Sequence, residues 1–488
     1  MGASFTSYEP VSGDIVGEFP VDGAEEVAAA VERGRIAAEW WWRLGFAGRR
    51  DRLRGFAAQL AGRMPELAAL ISRENGKSAD DAKLELVVSI DQLRWAAGHA
   101  ERVLRRRGHV PGILLPNTAA SVEYQPYGVV GVIGPWNYPV FTPMGSIAYA
   151  LAAGNAVVFK PSEHTPAIGK WLADAFARAV PEHPVLQLVT GFGETGSALA
   201  LSGVDKLAFT GSTATGKKVM AACAQNLTPV VIECGGKDPM VVAADADLEA
   251  AADAALWGGC FNSGQSCVGI ERVYVVDSVY EEFIGLLARN ARALHAGPTD
   301  DAGYGAMTTP EQIGIVRRHI EDALARGGRA LVGGPDSVRA PYIDPVILVD
   351  VPDDADAIRE ETFGPTLTVT RVSDVDTAID KANGTAYALG ASVFSKEHGE
   401  ELARRLRAGV VSVNAALTFM AVPALPFGGV GDSGFGRIHG SDGLREFART
   451  HAVARQRVPP PLAVMTYRRT DRAMRTLIAG VRLLGGRR

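Results

Sequence analysis

Apolar positions along the chain follow two periods. Short β-branched runs bounded by Gly and Pro alternate with longer stretches at helical spacing, the pattern of an α/β protein. Residues up to 21 read as an extended entry in which VSGDIVGEFP suggests paired strands. Asp22 with Glu25 three positions on is an N-cap signature for a long helix running through Trp40, Trp41 and Trp42, which read as core or interface. Further helices fill 50–106, with a break at Gly76 in RENGKSADDAKLEL.

From Tyr124 to Phe159 no residue is charged, which is long enough for a membrane span. Pro126, Gly128, Gly131, Gly134, Pro135, Pro139 and Pro143 punctuate it too often for one spanning helix. It reads instead as a strand (Val129 to Ile133), a Pro-flanked turn (PWNYP), a buried helix and a second buried strand (Ala156 to Phe159). Another apolar run, Val185 to Val189, precedes GFGETG at 191–196. Val230 to Ile232 is a short buried-strand run ended by Gly235 and Gly236, so Glu233 should project from its end. An Ala-rich helix opens in the acidic 245–249 segment, and a polar loop, Asn262 to Ser266, leads to Cys267. Arg272 to Asp277 reads as a strand, and 279–295 and 310–326 as amphipathic helices.

Composition narrows this only a little. A chain of 488 residues suggests two or three domains, and a net charge of −5 gives no general reason to expect nucleic acid. Four Cys at 223, 234, 260 and 267 form no CxxC or Cys/His pattern, which favours reduced thiols over disulfides and predicts no metal site. No basic stretch followed by an apolar core marks the first residues as a signal peptide.

Glu233 and Cys267 suggest a nucleophile with a separate base. A thiolate attacks a carbonyl, and a carboxylate in a dry pocket activates water against the resulting adduct. The bland reading of a lone Cys is a small buried hydrophobe. A polar, glycine-containing loop is a poor place for an inert thiol, and its backbone N–H groups suit an oxyanion.

ECGGKDP at Glu233 to Pro239 and GQSC at Gly264 to Cys267 resemble the two active-site signatures of the aldehyde dehydrogenase superfamily, with Cys234 where Leu is usual. The resemblance runs from about Val11 to about Pro459. It implies an α/β fold: a doubly wound Rossmann-like cofactor domain (1–106 and 127–234), an α/β catalytic domain (235–450), and small β bridging or oligomerisation segments (107–126 and 451–461). It also implies Cys267 as nucleophile, Glu233 as base and Asn137 as oxyanion donor. NAD is the implied cofactor, with NADP as the alternative, contacted by Trp136, Lys160, Glu163, Gly211, Ser212, Gly216, Glu361 and Phe363. Glu163 would repel a 2′-phosphate and Lys160 would offset that. GFGETG fits GxGxxG, yet no acidic residue follows where the dinucleotide fingerprint expects one, so it is read as a structural turn. In LPFGGVGDSGFGR, Phe427 either lines the substrate funnel or packs a glycine-rich loop. The family implies a homodimer or homotetramer.

Residues 462–488 lie beyond the resemblance and hold seven Arg against one Asp. Met474, Leu477, Ile478, Val481 and Leu484 recur at helical spacing, so the tail is a basic amphipathic helix suited either to an anionic membrane or to docking on its own subunit or neighbour. Localisation is cytoplasmic, with that peripheral contact as an added possibility.

The expected reaction is NAD(P)-dependent oxidation of an aldehyde to its acid through a Cys-bound thiohemiacetal and thioester. AALTFMAVPALP at 415–426 carries no Arg, which favours apolar aliphatic or aromatic aldehydes. The alternatives are a non-redox thioester or ester hydrolase using the same Cys and Glu, and a catalytically silent membrane-associated scaffold.

Overall fold

The protein is described here by a computed structural model covering residues 3–112, 115–299, 301–460 and 462–485. Residues 113–114 of the bridging segment, residues 461 and 486–488, and the Leu484 side chain of the tail lie outside that description. The chain forms two compact units, one of 1–103 with 126–448 and one of 104–125 with 449–488.

Among the described residues the larger unit contains two large sheets, beside the two-stranded pairs of Ser4–Tyr8 with Ile15–Pro20 and of Val338–Arg339 with Tyr342–Ile343. The first runs Gly434–Phe435, Val230–Glu233, Lys206–Thr210, Val129–Ile133, Ala156–Lys160, Leu186–Leu188, parallel except where Gly434–Phe435 meets Val230–Glu233. Val129–Ile133 and Ala156–Lys160 are buried at every position, as central parallel strands covered on both faces must be. Helices Ala24–Arg43, Gly193–Leu201 and Thr213–Ala224 pack Val27, Leu199 and Val219 against Val129, Leu207 and Ile232 on one face. Chain order reverses at Val129–Ile133, from which later strands are laid down first on one side and then on the other. The carboxyl ends beside that reversal are where such a sheet holds a ligand.

The second sheet runs Arg329–Val332, Val346–Val349, Thr366–Val372, Ile270–Val276, Asp238–Val242, Gly390–Phe394, Val410–Val413, with only the first strand antiparallel. Helices Leu248–Cys260 and Asp277–Arg292 bury Ala251, Ala255, Phe283 and Leu287 on one face. Ala378, Ile379 and Leu402 cover the other. The 124–159 stretch is a strand, a turn, the wholly buried helix Phe141–Ala153 and another strand. No helix among the described residues is long and apolar enough to cross a membrane.

In the smaller unit Arg107–His109 pairs antiparallel with Thr118–Pro126, which also borders Ala448–Gln456. Glu123 bonds His451 at 3.0 Å across these strands. The tail contains the helix Asp471–Gly485, with Ile478, Val481 and Leu483 exposed.

Two local expectations need correction. The first helix is capped one residue later than Asp22. Gly23 is its N-cap, with its N–H bonded to Glu26 at 2.9 Å, and Asp22 instead accepts the Thr190 N–H at 2.7 Å. Asp238–Val242, where no strand was predicted between Gly236 and the acidic 245–249 segment, is a fully buried strand near the middle of the second sheet. Its opening Asp-Pro reads as a turn, while its pairing partners at 270–275 and 392–394 are remote in sequence.

Candidate active site

Cys267 sits on a backbone that few sequences hold. Asn262, Ser263 and Gly264 have φ of 51°, 59° and 70°, a run of left-handed residues that is unfavourable for the two carrying side chains. The loop's own polar groups hold it there. Asn262 Nδ2 donates to the carbonyls of Asn137 and Gln265, both at 3.1 Å, and Ser263 Oγ donates to the Gly305 carbonyl at 2.9 Å. Gln265 Oε1 accepts the Thr308 N–H at 2.9 Å. The thiol that follows is partly exposed.

Glu233 ends its strand with its carboxylate 3.9 Å from the Cys267 sulfur and only 4% exposed. Burial pushes its carboxyl up to about 7, against bonds from Thr210 and Cys267 that favour the ion. Burial raises the Cys267 thiol well above its ordinary range, and the carboxylates of Glu233, Glu361 and Asp238 raise it further. A proton shared between these two groups therefore rests on sulfur, with its acceptor alongside.

Asn137, in the turn after Val129–Ile133, donates Nδ2 to the Gln265 carbonyl at 3.0 Å. An amide nitrogen carries two hydrogens, so one remains for a ligand. The turn is pinned from behind by the Lys77–Glu85 pair, both side chains fully buried. Lys77 Nζ donates to the Asn137 carbonyl at 3.0 Å, and Glu85 accepts the N–H groups of Val140 and Phe141.

A cavity of about 800 Å³ opens from Cys267 and Asn137 along the carboxyl ends of the first sheet. Trp136, Lys160, Glu163, Gly211, Ser212, Glu361 and Phe363 line it. Lys160 Nζ is buried 3.8 Å from Glu163, and burial lowers its proton affinity. Helix Thr213–Ala224 presents its N-terminus to this cavity, with Ser212 as N-cap bonded to the Thr215 N–H at 3.3 Å. Its first turn holds no acidic residue, which leaves the amides to an anion such as a pyrophosphate. The Glu361 carboxylate accepts the Gly236 N–H at 2.9 Å, and burial raises it to about 8. A side chain at 235 would displace the Glu361 carboxylate, and at 236 only glycine serves. A Cβ would lie 2.2 Å from Glu361 at the first and 2.3 Å from the Cys267 carbonyl at the second.

Gly216 is the exception among the cofactor candidates, because it does not line the cavity. A Cβ there would meet Cys234 Sγ at 3.0 Å and Ile232 at 3.1 Å, so its role is to let the helix pack on Val230–Glu233. Conversely Phe192, Gly193 and Gly196, from the stretch read as a structural turn, do line the cavity, as does Lys218. GxGxxG was the signal for the first three.

On the far side of Cys267, a second cavity of about 10 Å³ is bounded by Tyr138, Phe141, Glu233, Met420, Phe427 and Ile438. Its volume is no more than that of about one water-sized probe. Phe427 thus belongs to the wall beside the nucleophile.

Comparison with known proteins shows the family. The family model described as "Aldehyde dehydrogenase family" matches residues 2–453. The chain belongs to the aldehyde dehydrogenase family. It is 38% identical to a 4,4′-diapolycopene aldehyde oxidase of Methylomonas sp, over 91% of this chain and 84% of that protein. It is 36% identical to a Mycolicibacterium smegmatis protein provisionally named succinate-semialdehyde dehydrogenase (NADP+), over 96% and 92%. Among solved structures, an NAD-dependent aldehyde dehydrogenase from Sinorhizobium meliloti superposes with a TM-score of 0.90 at 32% identity, covering 95% of this chain and 93% of that one. An aldehyde dehydrogenase fold, with its Rossmann-like and catalytic portions, is therefore the architecture of this enzyme.

Proposed function

We propose that this aldehyde dehydrogenase oxidises apolar, extended aldehydes to carboxylic acids through a covalent adduct on Cys267. The observation carrying the substrate class is the wall beside the thiol. Tyr138, Phe141, Met420, Phe427 and Ile438 bring aromatic and aliphatic surface to the reacting sulfur, and no Lys or Arg lines that cavity among the described residues. A substrate carboxylate would be desolvated there with nothing to pair with. Met420 belongs to the 418–421 turn, which follows Asn414 and Leu417 at φ 53° and 57°, and its flexible side chain is the part to be displaced by an entering chain. The 38% identical relative is named for a 4,4′-diapolycopene aldehyde, and this enzyme is proposed to take long apolar aldehydes as well.

The geometry supports the following roles. Glu233 accepts the thiol proton and the thiolate adds to the carbonyl. The oxygen that becomes anionic is held by the free Asn137 amide hydrogen and the Cys267 N–H. Bound NAD+, or NADP+ as the alternate, supplies the hydride acceptor. Trp136 and Phe363, whose rings meet edge to face at 5.5 Å, and Glu361 bound the cavity near Cys267, where the nicotinamide end belongs. Lys160 and Glu163 bound the part assigned to the ribose hydroxyls. Once a thioester has formed and Glu233 has passed the thiol proton to solvent, its carboxylate takes a proton from water, the water oxygen bonds to the acyl carbon, and the C–S bond breaks to free the acid and the Cys267 sulfur. In this reading 1–106 and 127–234 bind the cofactor, 235–450 carry the nucleophile, and 107–126 with 451–461 bridge subunits of a homodimer or homotetramer.

Aldehydes of increasing length test the substrate class. The value of kcat/KM is expected to rise by up to about fourfold per methylene, the equivalent of ~0.8 kcal/mol of buried CH₂. Faster oxidation of succinate semialdehyde than of an uncharged aldehyde of equal length would remove it.

The tail helix completes the proposal. Arg472, Arg475 and Arg482 stand beside the exposed Ile478, Val481 and Leu483, so its charge complements an anionic bilayer, where apolar aldehydes partition. A chain ending at Pro461 should remain a homo-oligomer by light scattering and lose co-sedimentation with phosphatidylserine vesicles. Equal sedimentation of both chains would exclude the membrane role, and a monomer would exclude the bridging one.

A further inference from the structure

The segment that carries the nucleophile also reaches the turn assigned to the nicotinamide end. Four residues beyond Cys267, Glu271 is 4% exposed in strand Ile270–Val276. Its carboxylate accepts the Thr362 N–H at 2.9 Å and the Phe363 N–H at 2.9 Å. It also pairs with Lys237, whose side chain is fully buried and which belongs to the same ECGGK stretch as Glu233. Lys237 Nζ donates to Thr362 Oγ1 at 2.9 Å, and His319 Nδ1 meets that oxygen at 3.1 Å. The turn has reason to need holding, because Phe363 has φ 53°, a left-handed conformation unfavourable for a bulky residue.

From these contacts we infer that Glu271 is a positioning residue for hydride transfer, fixing the Thr362–Phe363 turn against the nucleophile's own strand. Its carboxylate touches neither sulfur nor cofactor cavity. It acts through two main-chain N–H groups, which set where Phe363 and the adjacent Glu361 stand along the cavity wall. The ion pair with Lys237 backs the bonds that this carboxylate makes to the turn. The nucleophile and the turn therefore move as one body, and hydride transfer is the step sensitive to their spacing. Acylation of the sulfur by an activated ester needs no such spacing.

This inference rests on the cofactor placement proposed above, and two activities separate the failure of one from that of the other. Purified Glu271→Gln and Glu271→Asp variants are compared with wild type for NAD+ reduction, for the isotope effect with 1-deuterated aldehyde, and for cofactor-free hydrolysis of p-nitrophenyl acetate. Glu271→Gln should lose about 100-fold in kcat for NAD+ reduction, the scale of an ångström's misplacement at a reacting centre. Its deuterium effect should grow while ester hydrolysis proceeds at the wild-type rate. Glu271→Asp keeps a partner for Lys237 and so guards against misfolding. With its carboxylate drawn back by one methylene, it should show the same pattern in weaker form. Wild-type NAD+ reduction in the Asp variant overturns the inference, and so does a parallel fall of both activities in a folded variant. Failure of the wild type itself to reduce NAD+ with any aldehyde would strike the proposed reaction instead.

Discussion

Glu233→Gln is expected to reduce about one cofactor per active site in a burst, slower than in wild type because the thiol must then give its proton to solvent, and afterwards nearly stop. The glutamine still lines the thiol pocket and leaves room for the adduct, yet it takes no proton from water, so the thioester persists. Steady-state turnover should fall roughly 100-fold to 10,000-fold, the range ascribed to a positioned general base. In wild type the same carboxyl, raised to about 7, should give an ascending limb of rate against pH near that value, and the variant should lack it. Stability should move the other way. A carboxyl held above its unfolded value of 4.5 binds its proton more tightly in the folded state, so the native fold pays nothing below 4.5 and is progressively destabilised as pH rises to about 7. At pH 8 that burden is about 3 kcal/mol, and Glu233→Gln relieves much of it. Thermal melts at pH 8 should therefore place the inactive variant above the wild type, with the gap closing near pH 4.5.

The second large effect falls on Asn137. Removing its amide in Asn137→Ala should lower kcat by about 100-fold to 1,000-fold, as the loss of one oxyanion donor does elsewhere. Its Gln265 bond is lost too, but the turn stays pinned through the main chain, by Lys77 on the Asn137 carbonyl and Glu85 on the next helix. The KM for NAD+ should accordingly change little. Initial rates at saturating aldehyde decide it. A variant with wild-type kcat would show that the oxyanion is held by other groups.

Much of this was legible in the sequence because the informative residues are locally patterned. The runs at 129–133, 156–159 and 230–232 became buried strands within a residue or so, since a central parallel strand is apolar without alternation. Glu233, Cys267 and Asn137 stand in short motifs, and the fold brings them together. What escaped depends on partners far along the chain. Asp238–Val242 does not show as a strand until its neighbours at 270–275 and 392–394 are known. Gly216 was read as a ligand contact, whereas its missing side chain makes room for Ile232 and Cys234. Gly193 and Gly196 were set aside by a fingerprint rule written for another dinucleotide site, and they line this cavity all the same. Glu271 left no signal, because its two N–H donors lie 91 and 92 positions on.

The covalent state of Cys267 is the most direct test of the account. Glu233→Gln is mixed with a medium-chain aldehyde and NAD+, quenched in acid and digested, and its peptides are weighed. An added acyl group on the peptide containing Cys267, absent without NAD+ and absent from the Glu233→Gln/Cys267→Ala double variant, is the expected result. Cofactor reduction with no acyl adduct, or with one on a different residue, would contradict the proposal that Cys267 carries the reaction.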